Sequence, residues 1–410
     1  MNRNSQTSIA TTANKRPHVS APTVVQLILV SLLLLIGDAC AETRSVTQET
    51  TAQKTQAGES GTADLTIDDG PYVSYQSGKP GLEVSWVCKG KTIRRLVTKA
   101  TNAIIKPECG FPKSITVRDE SPAFPVPAKF TANKLVALSD VHGQFDTMVR
   151  LLQANGVIDR DMKWSFGEGH MVVIGDMFDR GPNVTEVLWL LYQLDAEARV
   201  AGGALHVLLG NHETMVLYDD LRYVNPKYAA VSRMLNHTYP GLFGAQTVLG
   251  RWLRTKPMLL QVNDMLFVHG GLNPDYAALK LTVQETIEAF RASLGLPRAT
   301  VRATPLSAFL YGTNGPIWYR GYFRDPQIDS VELDKLLSQY GVKRIVVGHT
   351  TMTGVFSHYD GRVINTDTGI QKGVGGELFV WTDGKLLRGS FQGEQSPLTE
   401  YVKSAEANAR

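Results

Sequence analysis

The sequence predicts an α/β protein with a parallel βαβαβ core that antiparallel strands complete. Short apolar runs recur along the chain and end in Gly, Asp, Asn or His, as buried strands do where a loop begins. The spacing supports this fold class, because Asp140, Asp176 and Asn211 follow successive runs at intervals of 36 and 35 residues, about one βαβ crossover each. Amphipathic patterns between the runs predict the crossover helices. The predicted strands are 134–138, 170–174, 204–209, 265–268 and 344–347, the antiparallel strands are 363–367 and 377–381, and the helices are 145–154 and 184–194.

Residues 1–41 have the composition of a secretory leader. Basic residues precede an apolar run at 24–36, which at 13 residues is shorter than the roughly 20 that span a bilayer as a helix. Ala-Cys-Ala at 39–41 offers a cleavage site before Glu42, while an uncleaved anchor and a lipid-modified Cys40 are the alternatives. We therefore predict an exported, periplasmic protein that contacts the membrane only if the leader is kept or Cys40 is lipidated.

Composition divides the rest of the chain into segments. Residues 42–70 are rich in Thr, Gln, Ser, Gly and Ala and are predicted to form a flexible linker, since they offer little apolar surface to bury. Residues 71–130 are predicted to form a small β-rich module. The main domain is expected at 131–393, with a largely helical insertion at 214–260, and residues 394–410 are expected to be a polar tail.

Cysteine usage agrees with export. After cleavage behind residue 41, Cys88 and Cys109 remain, an even number in an oxidising compartment. A disulfide between them would close a loop of about 20 residues. Two unrelated buried thiols are the alternative.

The charge balance gives no electrostatic reason to expect nucleic acid as a partner. The whole chain carries 42 Lys and Arg against 39 Asp and Glu, a net charge of +3. These charges do not form a polybasic stretch, which is the usual mark of a nucleic-acid-binding face.

Five predicted strand ends carry side chains that can ligate metal ions. In open α/β sheets, ligands gather at the carboxyl ends of the strands, so these side chains are expected at one edge. Taken singly, each has an ordinary explanation: a solvated turn, a helix N-cap in the case of Asn211, or a buried core histidine. The candidate donors are Asp140, His142, Asp176, Asn211, His269 and His349.

This donor set suits a pair of transition-metal ions. Three imidazoles, two carboxylates and one amide oxygen are too rich in nitrogen for calcium or magnesium alone, and they lack the sulfur of structural zinc. Six protein ligands also exceed what one catalytic ion takes. We therefore predict two divalent ions, Mn²⁺ in the first place and Fe or Zn as alternatives, about 3.5–4 Å apart with Asp176 between them.

The motifs around these donors occur in a fixed order. They are Asp140-x-His142-Gly143, Gly175-Asp176-x-x-Asp179-Arg180-Gly181, Gly210-Asn211-His212-Glu213, His269-Gly270-Gly271 and Gly348-His349. Together they resemble the signature of the metal-dependent phosphoprotein phosphatase family, within the calcineurin-like metallophosphoesterases. The resemblance runs from 134 to 391 and implies a β-sandwich flanked by helices around the βαβαβ core.

Further sequence features indicate which branch of the family the chain resembles. The stretch at 315–321 and the predicted leader resemble the Shewanella-like, bacterial-type branch of the family. Ser139 stands where the usual pattern has glycine, a change between small residues. The chain lacks a stretch that resembles the toxin-binding C-terminal segment of eukaryotic members, so no regulatory subunit is implied.

The resemblance also implies a role for each site residue. One metal would be held by Asp140, His142 and Asp176, and the other by Asp176, Asn211, His269 and His349. A metal-bridging water would attack phosphorus directly, without a phosphoenzyme. His212 would protonate the leaving group, with Asp179 orienting its ring. The phosphate-binding residues would be Arg180, Arg320, Asn211 and His212. The ordinary alternatives are a surface arginine for Arg320 and a simple ion pair for Asp179 with His212.

The function predicted on this basis is a phosphomonoesterase that acts on phosphoproteins or phosphopeptides, at Ser/Thr, at Tyr or at both. One alternative is a dinucleoside polyphosphate hydrolase of the diadenosine tetraphosphate type, because such enzymes share most of the metal motifs. A second alternative is a metal-binding scaffold that has lost activity and serves as an interaction protein.

Overall fold

The computed structural model describes residues 66–120 and 125–402, and its strands and helices follow the predicted α/β order. The predicted leader, the predicted linker up to residue 65 and the last eight residues of the predicted tail lie outside the described residues. In the described part of the chain, none of the helices combines the length and the apolar character needed to cross a bilayer.

The N-terminal strands form a three-stranded antiparallel sheet, β1-β2-β3, and a short pair, β4-β5. A disulfide joins Cys88 and Cys109 across 21 residues of sequence, which decides between the two alternatives for these cysteines. By restricting the unfolded chain it contributes on the order of 3 kcal/mol to stability. The strands are β1 (Asp69–Tyr75), β2 (Leu82–Cys88), β3 (Lys91–Val97), β4 (Ile104–Ile105) and β5 (Ile115–Thr116).

Two predicted segment boundaries need correction. Strand β1 begins at Asp69, a fully buried residue, so the last residues of the predicted linker belong to the fold. The predicted β-rich module lies in the same compact unit as the main domain. In the predicted polar tail, a strand at Gln395–Pro397 pairs with the main sheet.

Two six-stranded sheets form the centre of the described structure. Their orders are β17-β16-β15-β7-β8-β9 and β13-β14-β12-β11-β10-β6. The strands are β6 (Lys129–Phe130), β7 (Lys134–Leu138), β8 (His170–Ile174), β9 (Ala204–Leu208), β10 (Leu259–Val262), β11 (Met265–Val268), β12 (Arg344–Val347), β13 (Phe356–His358), β14 (Val363–Asn365), β15 (Leu378–Thr382), β16 (Lys385–Gly389) and β17 (Gln395–Pro397).

The parallel βαβαβ core is confirmed. Strands β7, β8 and β9 pair in parallel, and β15 joins β7 antiparallel with Phe379 opposite Ala137. In the other sheet β11, β12 and β14 are parallel. The two sheets face each other across a common apolar core, which explains why their strands read as continuous hydrophobic runs. This core includes Leu135, Val172, Ile174, Leu208, Leu260, Phe267, Val346 and Ile364.

The helices cover the outer faces of the sheets. Helix α1 buries one stripe of residues, Phe145, Met148, Leu151 and Leu152, as the amphipathic pattern predicts. Helix α2 is buried on most sides, because it lies between the sheet and strand β1, where Trp189 Nε1 donates to the Pro71 carbonyl at 2.8 Å. The helices are α1 (Phe145–Ala154), α2 (Val184–Val200), α3 (Asn211–Leu217), α4 (Pro226–Leu235), α5 (Val248–Arg254), α6 (Pro274–Ala278), α7 (Val283–Ser293), α8 (Arg298–Val301), α9 (Pro305–Leu310) and α10 (Ser330–Tyr340), with 3-10 turns at Pro240–Phe243 and Ile370–Lys372.

Candidate active site

The turns that follow the strands hold the candidate residues in an unusual backbone conformation. A positive φ is sparsely populated for residues with a side chain and costs of order 1–3 kcal/mol, so it persists only where the surroundings impose it. Such a concentration at the ends of several strands points to a functional site. The residues are Asp140 (φ 53°), His142 (φ 47°), Asp176 (φ 57°), Asp179 (φ 69°), Arg180 (φ 63°) and His349 (φ 64°).

The predicted metal donors converge on Asp176. Its Oδ2 lies 3.2 Å from His269 Nε2 and 3.7 Å from His142 Nε2. His269 Nε2 also lies 3.0 Å from Asn211 Oδ1 and 3.2 Å from His349 Nδ1. Asp140 completes the cluster, since its Oδ1 lies 3.9 Å from His142 Nε2. Each of these six residues is at most 5% exposed, so the structure brings all of the predicted donors into one buried cluster.

Backbone carbonyls orient the three imidazoles. His142 Nδ1 lies 2.7 Å from the Phe178 carbonyl, and His269 Nδ1 lies 2.7 Å from the Ile174 carbonyl. A carbonyl only accepts, so in both rings Nδ1 carries the hydrogen and Nε2 faces Asp176. His349 is turned the other way, with Nε2 at 3.2 Å from the Trp318 carbonyl and Nδ1 facing the cluster. This is the arrangement by which proteins aim histidines at a metal ion.

The cluster around Asp176 has the donors to hold metal ions. Two groups have their ligand atoms within 4.8 Å of one another: His142, Asp176 and His212, and Asp176, His269 and His349. Burial lowers the pKa of His142 to about 3, which favours the neutral form that ligates metal. Burial acts in the same direction on His269, but the Asp176 carboxylate outweighs it and raises the pKa of His269 to about 10. Burial also lowers the pKa of His349, so two of the three imidazoles are held in the neutral form that ligates metal.

His212 and Asp179 form a short buried pair beside the cluster. His212 Nδ1 lies 2.6 Å from Asp179 Oδ2, and His212 Nε2 lies 3.8 Å from Asp176 Oδ2. Burial lowers the pKa of His212, but the carboxylates of Asp176 and Asp179 outweigh that effect and raise it overall. The pair can therefore present a protonated Nε2 to a bound ligand. Its geometry also suits a metal ligand with a carboxylate partner, so the two roles need a direct test.

The two candidate arginines lie at the rim of the cluster. Arg320 is half-buried and its guanidinium donates to the His349 carbonyl, so the structure does not place it as an isolated surface arginine. A groove of about 620 Å³ begins at Arg320 and is lined by Trp318, Asn314 and Arg324. Arg180 is exposed, but its backbone is held on both sides in the turn after β8.

That turn is held by the connection between α3 and α4. Arg180 N donates to the Tyr223 carbonyl at 2.9 Å, and the Arg180 carbonyl accepts from Asn225 Nδ2 at 2.8 Å. Two residues further on, the Pro182 carbonyl accepts from Lys227 Nζ at 2.8 Å and from the Tyr228 hydroxyl at 2.9 Å. The insertion thus fixes the backbone that carries Asp179 and Arg180.

Two buried acids at the site have no role in the sequence-based prediction. The Glu213 carboxylate accepts from the backbone N–H groups of Asp176 at 2.9 Å, Met177 at 2.7 Å and Gly210 at 2.7 Å, and so ties two of the turns together. A glutamate at the third position of a helix commonly bonds back to the residue before the helix, and that signal was present in the sequence. The other acid, Asp367, accepts from Thr351 Oγ1 at 2.7 Å.

An α/β sandwich that gathers Asp, His and Asn side chains at its strand ends is the architecture of the metallophosphoesterases. Residues 134–352 match the family model for calcineurin-like phosphoesterases, and the chain belongs to that family. The predicted fold class is thereby confirmed, and the chain is a phosphatase. The family implies divalent metal ions, which the cluster around Asp176 could hold.

The relatives support the Shewanella-like resemblance. The chain is 40% identical to the cold-active protein-tyrosine phosphatase of a psychrophile Shewanella sp., with a TM-score of 0.77 over 81% of this chain and 100% of that one. It is 26% identical over 291 residues to Shewanella-like protein phosphatase 2 of Arabidopsis thaliana, covering 58% of this chain and 72% of the relative. A symmetrical bis(5'-nucleosyl)-tetraphosphatase of Hamiltonella defensa is 31% identical over 165 residues, covering 38% of this chain and 50% of the relative.

Proposed function

We propose that this chain is a phosphoprotein phosphatase that uses two divalent metal ions, most suitably Mn²⁺, to hydrolyse phosphomonoesters on proteins and peptides. The observation that carries the proposal is the buried cluster in which the six predicted donors lie together. Two groups of possible ligands, His142 with His212 and His269 with His349, share the Asp176 carboxylate. The similarity to the Shewanella enzyme, which spans the whole of that chain, favours a phosphoprotein substrate, with phosphotyrosine among its targets.

The proposed assignment of ligands follows the family resemblance, and the donors that it requires lie together in the cluster. Two divalent ions held there supply Lewis acidity and lower the pKa of water for attack on phosphorus. The absence of a cysteine from the cluster, together with three imidazole nitrogens, favours Mn, Fe or Zn. The first ion is assigned to Asp140, His142 and Asp176, and the second to Asp176, Asn211, His269 and His349.

The two arginines are assigned to the phosphoryl group. A guanidinium presents planar, paired donors that match two phosphoryl oxygens, and it stabilises negative charge that grows in the transition state. Arg180 approaches from the turn after β8, and Arg320 from the groove beside His349. Asn211 and His212, which belong to the cluster or border it, are assigned the remaining contacts to phosphate.

His212 is assigned as the acid that protonates the leaving oxygen. Asp179 holds Nδ1 at 2.6 Å, so the only ring nitrogen free to donate to substrate is Nε2. The carboxylates around the ring raise the pKa of His212 and keep the proton on it. A positioned acid of this kind contributes about 10²–10⁴-fold to turnover.

A substrate panel tests the proposed function. The purified chain is assayed with a phosphotyrosine peptide, a phosphoserine peptide and diadenosine tetraphosphate, each with EDTA and with added Mn²⁺, Fe²⁺ or Zn²⁺. We expect hydrolysis of at least one phosphopeptide that depends on added metal. If the chain hydrolyses diadenosine tetraphosphate and cleaves neither peptide, it is a dinucleoside polyphosphate hydrolase and the proposal is wrong. If it hydrolyses no substrate with any of the ions, the result favours an inactive metal-binding scaffold.

Asn225 offers a test of how the insertion positions Arg180. In the native chain the Asn225 side chain caps helix α4 by accepting from Lys227 N at 3.0 Å, and an aspartate can keep this contact. The aspartate of Asn225→Asp cannot, however, donate to the Arg180 carbonyl. Losing that hydrogen bond, worth about 0.5–1.5 kcal/mol, is expected to raise the KM for a phosphopeptide about 2- to 12-fold. Steady-state kinetics and a thermal melt of the variant provide the measurement.

Asn155 provides the matched control, because its Nδ2 donates to the carbonyls of Leu151 and Ser390 at the far end of α1. Asn155→Asp is expected to lower the melting temperature without changing KM. If Asn225→Asp lowers stability to the same extent and leaves KM unchanged, the insertion does not position Arg180.

A further inference from the structure

Tyr223 presents an exposed aromatic ring beside the residues assigned to the leaving group and the phosphate. The centre of its ring lies 5.2 Å from the centre of the His212 ring. The guanidinium carbon of Arg180 lies 5.7 Å from the centre of the same ring. Tyr223 is nevertheless 45% exposed, so a ligand bound at the cluster can contact it.

The position of this ring is fixed by the same contacts that fix Arg180. The Tyr223 carbonyl accepts from Arg180 N at 2.9 Å, and Asn225, two residues on, donates to the Arg180 carbonyl at 2.8 Å. On its outer side, the guanidinium of Arg222 lies 5.5 Å from the ring centre and is itself paired with Asp220 at 2.7 Å. Tyr223 is therefore part of a structured rim.

The route of the leaving group passes this rim. Because Nδ1 of His212 is bonded to Asp179, the leaving oxygen must meet Nε2, and the group attached to that oxygen extends from there toward solvent. Asp176 and the buried donors occupy the inner side of Nε2. The Tyr223 ring is centred 5.2 Å from the His212 ring and the residue is 45% exposed, so it lies within reach of a bulky leaving group bound at Nε2.

From this geometry we infer that Tyr223 forms an aryl subsite, which binds the ring of a phenolic phosphoester such as phosphotyrosine and selects it over alkyl phosphoesters. This inference rests on the proposed function. Aromatic rings attract one another in offset or edge-to-face arrangements with centres about 4.5–7 Å apart. Phosphoserine and phosphothreonine carry no ring, so they gain nothing from such a contact.

A pair of matched peptides tests the subsite. The two peptides share their flanking sequence and carry phosphotyrosine or phosphoserine, and kcat/KM is measured for each with metal-loaded wild type and Tyr223→Leu. Leucine keeps an apolar side chain but removes the ring. We expect the ratio of kcat/KM for phosphotyrosine over phosphoserine to fall about 2- to 12-fold in the variant, mainly through KM for the phosphotyrosine peptide.

Two further variants separate ring stacking from a structural role. Tyr223→Phe keeps the ring and is expected to restore most of the lost discrimination. Leu221→Ala truncates a residue of the same connection that is 38% exposed, and the ratio is expected to stay at the wild-type value. Phenylphosphonate and methylphosphonate, compared as inhibitors of wild type, add a measurement that needs no variant; the phenyl compound is expected to bind more tightly.

The outcomes distinguish the subsite from the proposed function. If wild type hydrolyses the peptides and Tyr223→Leu leaves their ratio unchanged, the subsite is wrong and the proposed function stands. An equal loss on both peptides would also overturn the subsite, since it would show that Tyr223 only positions Arg180 or His212. If wild type hydrolyses neither peptide, the proposed function fails and the subsite fails with it.

Discussion

Asp176→Asn is expected to remove both metal ions together and to lower phosphatase turnover at least about a thousandfold, because several kcal/mol of transition-state stabilisation depends on the ions. Asp176 Oδ2 lies within 3.8 Å of Nε2 of His142, His212 and His269, so it is the carboxylate oxygen common to both donor groups. Its other oxygen, Oδ1, accepts from His212 N at 3.1 Å. An asparagine has one carbonyl oxygen and no charge, so it cannot serve both groups.

The measurement is the metal content per chain after dialysis, together with turnover of p-nitrophenyl phosphate. Asp146→Asn is a suitable control, because Asp146 is an exposed acid in the first turn of α1, close in sequence to Asp140. The control is expected to keep both ions and to change stability by less than about 1 kcal/mol. An Asp176→Asn protein that retains one ion at full occupancy would contradict the shared carboxylate.

The strands that bear the site could be predicted from sequence because each is buried on both faces. Strand β8 reads His-Met-Val-Val-Ile and is buried throughout, and the predicted range 170–174 matches it. The position of the donors then follows from the direction of the strands, since parallel strands bring their carboxyl ends to one edge of the sheet. Periodicity and strand direction were thus sufficient for Asp140, Asp176 and Asn211.

The meeting of His269 and His349 with Asp176 could not be derived in that way. These histidines follow β11 and β12, which lie in the second sheet, and the sandwich that apposes the two sheets depends on packing between residues distant in sequence. Periodicity assigns strands but does not assign them to sheets. The prediction that His269 and His349 meet Asp176 came instead from the family resemblance, which rests on the order of the motifs.

The errors at the segment boundaries have a common physical cause. Strand β17 is exposed at all three of its residues and joins the sheet through backbone pairing with β16, so no apolar pattern marks it. Strand β1 begins at Asp69, a polar residue that is buried because its carboxylate accepts from the Tyr72 hydroxyl at 2.5 Å. The polar composition of both segments predicts that they are solvated. Their place in the fold depends on tertiary contacts, which composition does not reveal.

The rim formed by Tyr223 and Asn225 was also invisible in the sequence. Both residues lie in the connection between α3 and α4, where side chains follow no helical or strand periodicity. Their importance comes from hydrogen bonds to the backbone of Arg180, which the Tyr223 carbonyl accepts and the Asn225 side chain donates. The sequence motifs identified Arg180, and the structure shows that Tyr223 and Asn225 hold its backbone in place.

His212→Asn is expected to lower turnover of an alkyl phosphomonoester about 10²–10⁴-fold while both metal ions stay bound. Asparagine can occupy the space and contact phosphate, but it has no proton to give to a leaving alkoxide. The loss on p-nitrophenyl phosphate is expected to be smaller, because its phenolate leaves without much help from an acid. The measurements are turnover on the two substrates and metal content per chain.

The metal content decides between the two roles that the geometry of His212 permits. Its Nε2 belongs to one of the two donor groups, with His142 and Asp176, so a metal ligand and an acid are both compatible with the distances. Loss of an ion from His212→Asn would assign it as a ligand, whereas a larger loss on the alkyl than on the aryl substrate, with both ions kept, would assign it as the acid. His237→Asn, at an exposed histidine, is the control for the same substitution away from the site. Equal turnover of the alkyl substrate by His212→Asn and wild type would refute the acid role, because turnover would then not depend on a proton from this ring.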